Sequence, residues 1–363
     1  MTPWETGLDL LLRQLVEPLA ILMRVWSQEG KLVVDLSLFV KLSIVLLFIL
    51  PLTGCGAAPA PLTGAVRPSW LPASVSTEQN IQYVPGGDPA QKLDVYWPAQ
   101  AASKPMPLVI WIHGGGWEGG DKTWCNSLYL VAHGYAAASV EYRFSQTALF
   151  PAQIQDCQAA IRWLRANSKK YNIDPKEIGV WGESAGGHLV SLLGTSGGKH
   201  AFPLIGGNED QSDRVQAVVD SYGPSDFNSV VAQAAADPTK NIFDFNHGDP
   251  YSKLIGIPLG SDIEKGNAVS PVHYVSRDNP PFLILHGTHD NLVPFAQSLE
   301  LQAALEKAKV PVLLQPFPNA GHGGDIFGKN PDVEELIKQF FDKYLLKQNV
   351  NLQLLPDNVV TVK

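Results

Sequence analysis

Three side chains in this chain of 363 residues have the types that acyl transfer by a serine requires: Ser184, Asp290 and His322. Ser184 lies in Gly182-Glu183-Ser184-Ala185-Gly186, after the apolar run Ile178-Gly179-Val180-Trp181 and before the helical pattern opened by Gly187-His188-Leu189-Val190. A G-x-S-x-G turn between strand and helix lifts a hydroxyl out of a sheet on a tight, strained bend, with glycines where a Cβ would block the crossing chains. It also leaves the next N–H at a helix start, where developing negative charge is stabilised. A serine hydroxyl becomes a competent nucleophile when an imidazole accepts its proton and a carboxylate holds that imidazole in the right tautomer.

Asp290 follows Ser184 by 106 residues, in His286-Gly287-Thr288-His289-Asp290, and His322 follows by a further 32, in Asn319-Ala320-Gly321-His322-Gly323-Gly324. Nine histidines compete for the role of base. His113 precedes three glycines and reads as a brace for their loop. His188 falls one turn along the elbow helix and reads as a packed residue. His286 and His289 share a strand end with the aspartate, which leaves His322 in a glycine-flanked loop after the final strand pattern. Asp262 and Asp278 are alternatives to Asp290, but neither sits at a comparable strand-end turn. His286, His289, Asp290 and His322 also read as a set of metal ligands. That reading leaves the serine turn unexplained.

The elements that must position these groups are legible in outline. Ile81–Val84 and Lys92–Trp97 flank the turn signal Pro85-Gly86-Gly87-Asp88-Pro89 and predict an antiparallel hairpin. Leu108–Ile112 is continuously apolar, the mark of a strand buried on both faces, and runs into His113-Gly114-Gly115-Gly116-Trp117. Consecutive glycines at a strand's C-terminal end let backbone N–H groups approach a ligand. Strands are predicted at Tyr135–Val140, Val215–Asp220, Pro281–Gly287 and Val312–Phe317, and helices at Pro151–Tyr171, up to Ala308 and over Asp332–Leu346. Alternation of this kind predicts an α/β fold: a mostly parallel central sheet with helices on both faces. Ser184, Asp290 and His322 then all fall at C-terminal ends of strands, where open α/β sheets bind ligands. Residues 223–267 lose periodicity and read as a small cap insertion over the site, or else as a plain surface excursion.

From about residue 77 to 347 the chain resembles the α/β-hydrolase superfamily. More narrowly it resembles the hormone-sensitive-lipase-like serine esterases and the related bifunctional feruloyl and acetyl-xylan esterase group. The resemblance rests on His113-Gly114-Gly115-Gly116-Trp117, Tyr142-Arg143 with Phe150-Pro151-Ala152, Gly182–Gly187, His286–Asp290 and Gly321-His322. The chain order Ser, Asp, His is the order of that superfamily. The resemblance implies an oxyanion hole of the backbone N–H groups of Gly115, Gly116 and Ala185, and an esterase acting on a small-molecule or carbohydrate-linked ester without cofactor or metal. The segment Leu285–Pro294 is also similar to the C-terminal part of prolyl oligopeptidases, which makes a peptidase or amidase the alternative enzyme. Those enzymes carry an aromatic residue after the serine, where this chain has Ala185. A non-catalytic binding protein on the same fold is the alternative of another class, and a complete Ser-Asp-His set argues against it.

The front of the chain reads differently. Leu42–Leu50 is apolar, follows Lys41 and stops at Pro51. It is short for a transmembrane helix and fits a signal-peptide core, with a buried or interfacial apolar segment as the other reading. Leu52-Thr53-Gly54-Cys55 resembles the lipobox of bacterial lipoproteins, which implies cleavage before a lipidated Cys55, a mature chain of 309 residues and attachment to a membrane of the cell envelope. The stretch before this core is long for a signal peptide, so translation starting near Met23 or Val40 is a further expectation. Residues 55–76 are rich in proline and alanine and predict an extended tether; residues 348–363 form an unassigned tail. Net charge is −8 with no Lys/Arg block, which argues against a nucleic-acid partner. Cys125 and Cys157 read as free thiols or as a pair in an oxidising compartment.

Overall fold

The computed structural model describes residues 68–236, 248–356 and 359. The expected signal segment, Cys55 and most of the tether lie outside the described residues. The expected start of the domain at 77 is too late: β1 runs Val75–Gln82, and Leu71 and Val75 are already buried. Tyr96 and Val131 cover those two side chains, so the last residues of the expected tether are part of the core.

Eight strands form one sheet in the order β1-β2-β4-β3-β5-β6-β7-β8. They are β1, β2 (Lys92–Pro98), β3 (Met106–Ile112), β4 (Ala136–Val140), β5 (Ile173–Glu183), β6 (Ala217–Ser221), β7 (Phe282–Gly287) and β8 (Val312–Phe317). The first two pair antiparallel, β2 joins β4 antiparallel, and every pair from β4 onward is parallel. The hairpin closes one edge, and the parallel strands deliver their C-terminal ends to one rim.

Continuous apolar runs produce this sheet because both of its faces are covered. Leu108, Ile110 and Ile112 of β3 point into one core and Val109 and Trp111 into the other, the two-residue period of a strand. The first core is completed by α1 (Ala152–Ala166) and by α2 (Ala185–Ser196), which follows Ser184 directly. Between β6 and β7 come three short helices, α3 (Val230–Ala236), α4 (Pro250–Ile255) and α5 (Ile263–Val269). After β7, α6 (Ala296–Lys307) adds Leu301 and Leu305 to the first core. A helical turn, α7 (Asp325–Gly328), leads to α8 (Pro331–Tyr344), whose Leu336, Ile337, Phe340 and Phe341 cover the second core.

Residues 223–267 hold α3, α4 and the start of α5, which runs on to Val269; each helix has six or seven residues. Helices of two turns carry too few repeats to mark a period. The tail also joins the fold: Leu352 and Leu355 pack on the second core, and the Leu355 N–H donates to Gln315 Oε1 at 2.6 Å. Cys125 and Cys157 are free thiols.

Candidate active site

Ser184 stands between β5 and α2 with φ +53° and ψ −117°, a conformation that ordinary side chains avoid at about 1–3 kcal/mol. Two bonds hold it there: its N–H donates to Ser221 O at 2.9 Å and its carbonyl accepts His188 N at 3.0 Å. The flanking glycines are sterically required. A Cβ on Gly182 would overlap Gly186 O, and one on Gly186 would overlap Ile112 O at the end of β3.

The Ser184 hydroxyl donates to His322 Nε2 at 2.9 Å, and His322 Nδ1–H donates to Asp290 Oδ2 at 2.7 Å. Asp290 has its remaining capacity filled. Its Oδ1 accepts the N–H groups of Leu292 and Val293 at 2.8 and 2.9 Å, and Oδ2 also accepts His286 Nε2–H at 3.1 Å. Burial alone would raise the pKa of this carboxyl, but hydrogen bonds from His286 and His322 outweigh it and hold the group well below the usual carboxylate range. The ion that orients the imidazole is therefore permanent at neutral pH.

The other histidines fall elsewhere. His286 lies on the far side of Asp290: its Nε2–H is shared with Val293 O at 3.0 Å, and Nδ1 accepts the Ser298 hydroxyl at 2.6 Å. His188 is buried between Trp117 and Val269 O. His113 bonds Gly114 O and Glu141 beneath the glycine loop. His289 is exposed beside Thr288. Asp262 caps α5 through Lys265 N, and Asp278 precedes β7 at the opposite rim of the sheet. Among the described residues, no group of three or more His, Cys, Asp or Glu side chains is arranged to hold a metal ion.

Gly115, Gly116 and Ala185 line a cavity of about 410 Å³ together with Ser184 and His322. Gly115 and Gly116 have φ of +110° and +61°, and none of the backbone bonds among the described residues uses their N–H groups. A helix start at Ala185 and two glycine N–H groups without a backbone acceptor, lining one cavity with the serine, form an arrangement suited to a tetrahedral oxyanion. Pro250 and Tyr251, at the start of α4, and Leu292 and Val293 supply apolar walls.

One residue of the site escapes motif reading. Tyr222, just beyond β6, meets the His322 ring edge-on with centroids 4.8 Å apart, and donates its hydroxyl to Glu183 Oε2 at 2.8 Å. Burial, then the nearby Glu183 carboxylate, pushes the phenol well above its ordinary pKa, so it stays a donor. The signal available for Tyr222 was its place at a strand's C-terminal end, the same rule that marks Asp290 and His322.

A mostly parallel sheet of this order, carrying a serine at the β5–α2 turn and a histidine after β8, defines an α/β hydrolase. The chain belongs to the BD-FAE family, whose profile matches residues 93–305, more than half of its length. The profile described as TAP-like protein matches residues 261–351. The esterase LipC of Mycobacterium tuberculosis is 33% identical over 250 residues, 66% of this chain and 59% of that protein. The chain thus spans less than two thirds of the length of this curated relative and of two others, LipM and LipQ. Among solved structures, a truncated carbohydrate esterase from gut microbiota is similar at 29% identity and TM-score 0.67, covering 74% of this chain and 95% of that one. An acetyl ester-xyloside bifunctional hydrolase from Caldicellulosiruptor lactoaceticus is similar at 32% identity and TM-score 0.55, covering 71% and 89%.

Proposed function

We propose that the protein is a serine carboxylesterase that hydrolyses short-acyl, acetyl or feruloyl esters through an acyl-enzyme on Ser184. The observation that carries this reading is the unbroken relay from Ser184 Oγ through His322 to Asp290, with contacts of 2.9 and 2.7 Å, opening on the cavity. Ser184 Oγ attacks the ester carbonyl carbon as its proton passes to His322 Nε2. The carbonyl oxygen becomes an oxyanion facing the N–H groups of Gly115, Gly116 and Ala185. Collapse breaks the bond to the alkoxide, which takes the proton from His322 and leaves as an alcohol. Water then gives a proton to His322 Nε2 and attacks the acyl carbon; the bond to Ser184 Oγ breaks, the serine regains its proton and the acid departs.

The substrate class rests on family membership and on the similar carbohydrate esterases, and the modest, largely apolar cavity suits an acetyl or aryl acyl group. The test is hydrolysis of p-nitrophenyl acetate, butyrate and octanoate and of methyl ferulate by the full chain, with Ser184→Ala as control. Loss of activity and of fluorophosphonate labelling in the variant is expected; equal activity in the variant would overturn the reading. We also propose that Cys55 is lipidated and anchors the protein in a bacterial cell envelope, supported by Leu52-Thr53-Gly54-Cys55 behind an apolar core. The mass of the N-terminal peptide of protein isolated from its native membrane tests this: an unmodified residue 55 or an intact residue 1 would overturn it.

A further inference from the structure

Among the described residues that line the cavity, Glu183 supplies the one carboxyl group. It precedes the nucleophile at the end of β5, and the relay from Ser184 to Asp290 does not use it. Gly114 makes room for its stem: a Cβ there would lie 3.2 Å from Glu183 Cγ and 3.2 Å from Ser184 Cβ. The side chain is half-buried and forms part of the cavity wall beside the serine.

Its two oxygens differ. Oε2 accepts the Tyr222 hydroxyl at 2.8 Å, whereas none of the hydrogen bonds among the described residues engages Oε1. Oε1 is also not a buried atom, so an incoming group can reach it. A neighbouring polar group of the wall is already taken, since the Trp117 N–H donates to His188.

Tyr222 fixes where this free oxygen stands. Its ring meets His322 edge-on with centroids 4.8 Å apart, and its hydroxyl ends on Glu183. A Cβ on Gly323, the residue after His322, would lie 3.6 Å from that hydroxyl. Tyr222 thus bridges the base and the Glu183 carboxyl, which places the carboxyl on the His322 side of Ser184. The leaving alkoxide lies on that side too, because it takes its proton from His322 Nε2. A carboxyl oxygen beside the alcohol half of an ester has nothing to accept from a plain alkyl group, but it rewards a hydroxyl there.

We propose that Glu183, held by Tyr222, is a specificity-determining residue whose Oε1 accepts a hydrogen bond from a second hydroxyl on the alcohol half of the substrate. The preferred esters are then those of sugars or other polyols in which a free hydroxyl neighbours the acylated one. This deepens the esterase reading above and rests on it.

The test compares trans-2-hydroxycyclohexyl acetate with cyclohexyl acetate, which differ by that hydroxyl alone, using the full chain. Relative to their alkaline hydrolysis, wild type should favour the hydroxylated ester by about tenfold in kcat/KM. Glu183→Leu removes both oxygens and should abolish this preference. Glu183→Gln keeps an acceptor for Tyr222 and turns an amide NH2 to the cavity, so it should retain part of it. Tyr222→Phe leaves Glu183 without its tie and should lower the preference about threefold. A merely structural role for Glu183 would change both rates together and leave their ratio where it was. No preference in wild type, or an unchanged ratio in folded Glu183→Leu, would overturn the proposal. If the Glu183 variants do not fold, the wild-type ratio and Tyr222→Phe decide. Absence of hydrolysis of both esters together with absence of fluorophosphonate labelling would overturn the esterase reading and this assignment with it. Hydrolysis of both without preference would overturn the assignment alone.

Discussion

The indole N–H of Trp117 donates to Nδ1 of His188 at 3.2 Å, tying the glycine loop after β3 to the elbow helix α2. The same imidazole donates Nε2–H to Val269 O at 2.7 Å, at the end of α5. Burial lowers the His188 pKa to about 4, so the ring is neutral when it makes both bonds. Between the unfolded value, about 6.5, and 4, the native state binds fewer protons than the unfolded state. The stability this group contributes is therefore present above that unfolded value and is lost as pH falls through 4. Wild type should lose about 3 kcal/mol across this window relative to His188→Gln, which keeps an acceptor and a donor but does not titrate. Denaturant midpoints of both proteins from pH 4 to 7 check this.

Asp290 is held by two imidazoles, and they are not equivalent. His322 Nδ1–H must switch partners if the carboxylate becomes an amide, so Asp290→Asn should lower kcat by about 10⁴. His286→Leu removes a bond that orients the carboxylate, together with the bonds to Val293 O and the Ser298 hydroxyl, and should lower kcat about tenfold with little change in KM. Steady-state kinetics on one p-nitrophenyl ester separate the two; equal losses would contradict the assignment of roles.

Asp220 shows the opposite sign of pH dependence to His188. Burial raises its carboxyl to about 6, against the lowering effect of the Ser191 hydroxyl and the Gly223 N–H. The native state thus holds this proton more tightly than the unfolded chain. The associated stability is complete below the unfolded value and is lost as pH rises through 6. Asp220→Asn, which retains one acceptor for Gly223 N and a donor for Ser191, should gain on wild type by about 3 kcal/mol between pH 4 and 7. Thermal or urea unfolding at the two pH values checks the slope.

Glycines in the two loops differ in what they tolerate. Gly186→Ala places a methyl against Ile112 O and His113 O, both backbone, and should cost about 3 kcal/mol or more. A Cβ on Gly119 would come no nearer than 4.0 Å to Gly115 O, so Gly119→Ala should stay within about 1 kcal/mol of wild type. Urea midpoints order the two.

What the sequence made legible follows from how local each signal is. The strand, turn and helix around Ser184 occupy adjacent residues, and the apolar runs of β3, β5 and β7 mark strands buried on both faces, so sheet and elbow could be read directly. Asp290 and His322 needed only the rule that strand ends face the ligand. Tyr222 against His322 and His286 against Asp290 are settled by side-chain direction in three dimensions, which no spacing encodes. The connection from β6 to β7 stayed opaque because its helices are too short to repeat. The domain boundary was set too late because Leu71 and Val75 sit among prolines and polar residues, and only tertiary contact shows them buried.

The relay from Ser184 to His322 spans 138 residues, and the base lies beyond the last strand of the sheet. A ribosome therefore finishes the nucleophile long before it supplies the proton acceptor. A partial chain that stops short of residue 322 lacks the imidazole that accepts the serine's proton, and the relay closes in a late step, when β8 docks on the sheet's edge and carries His322 to Ser184.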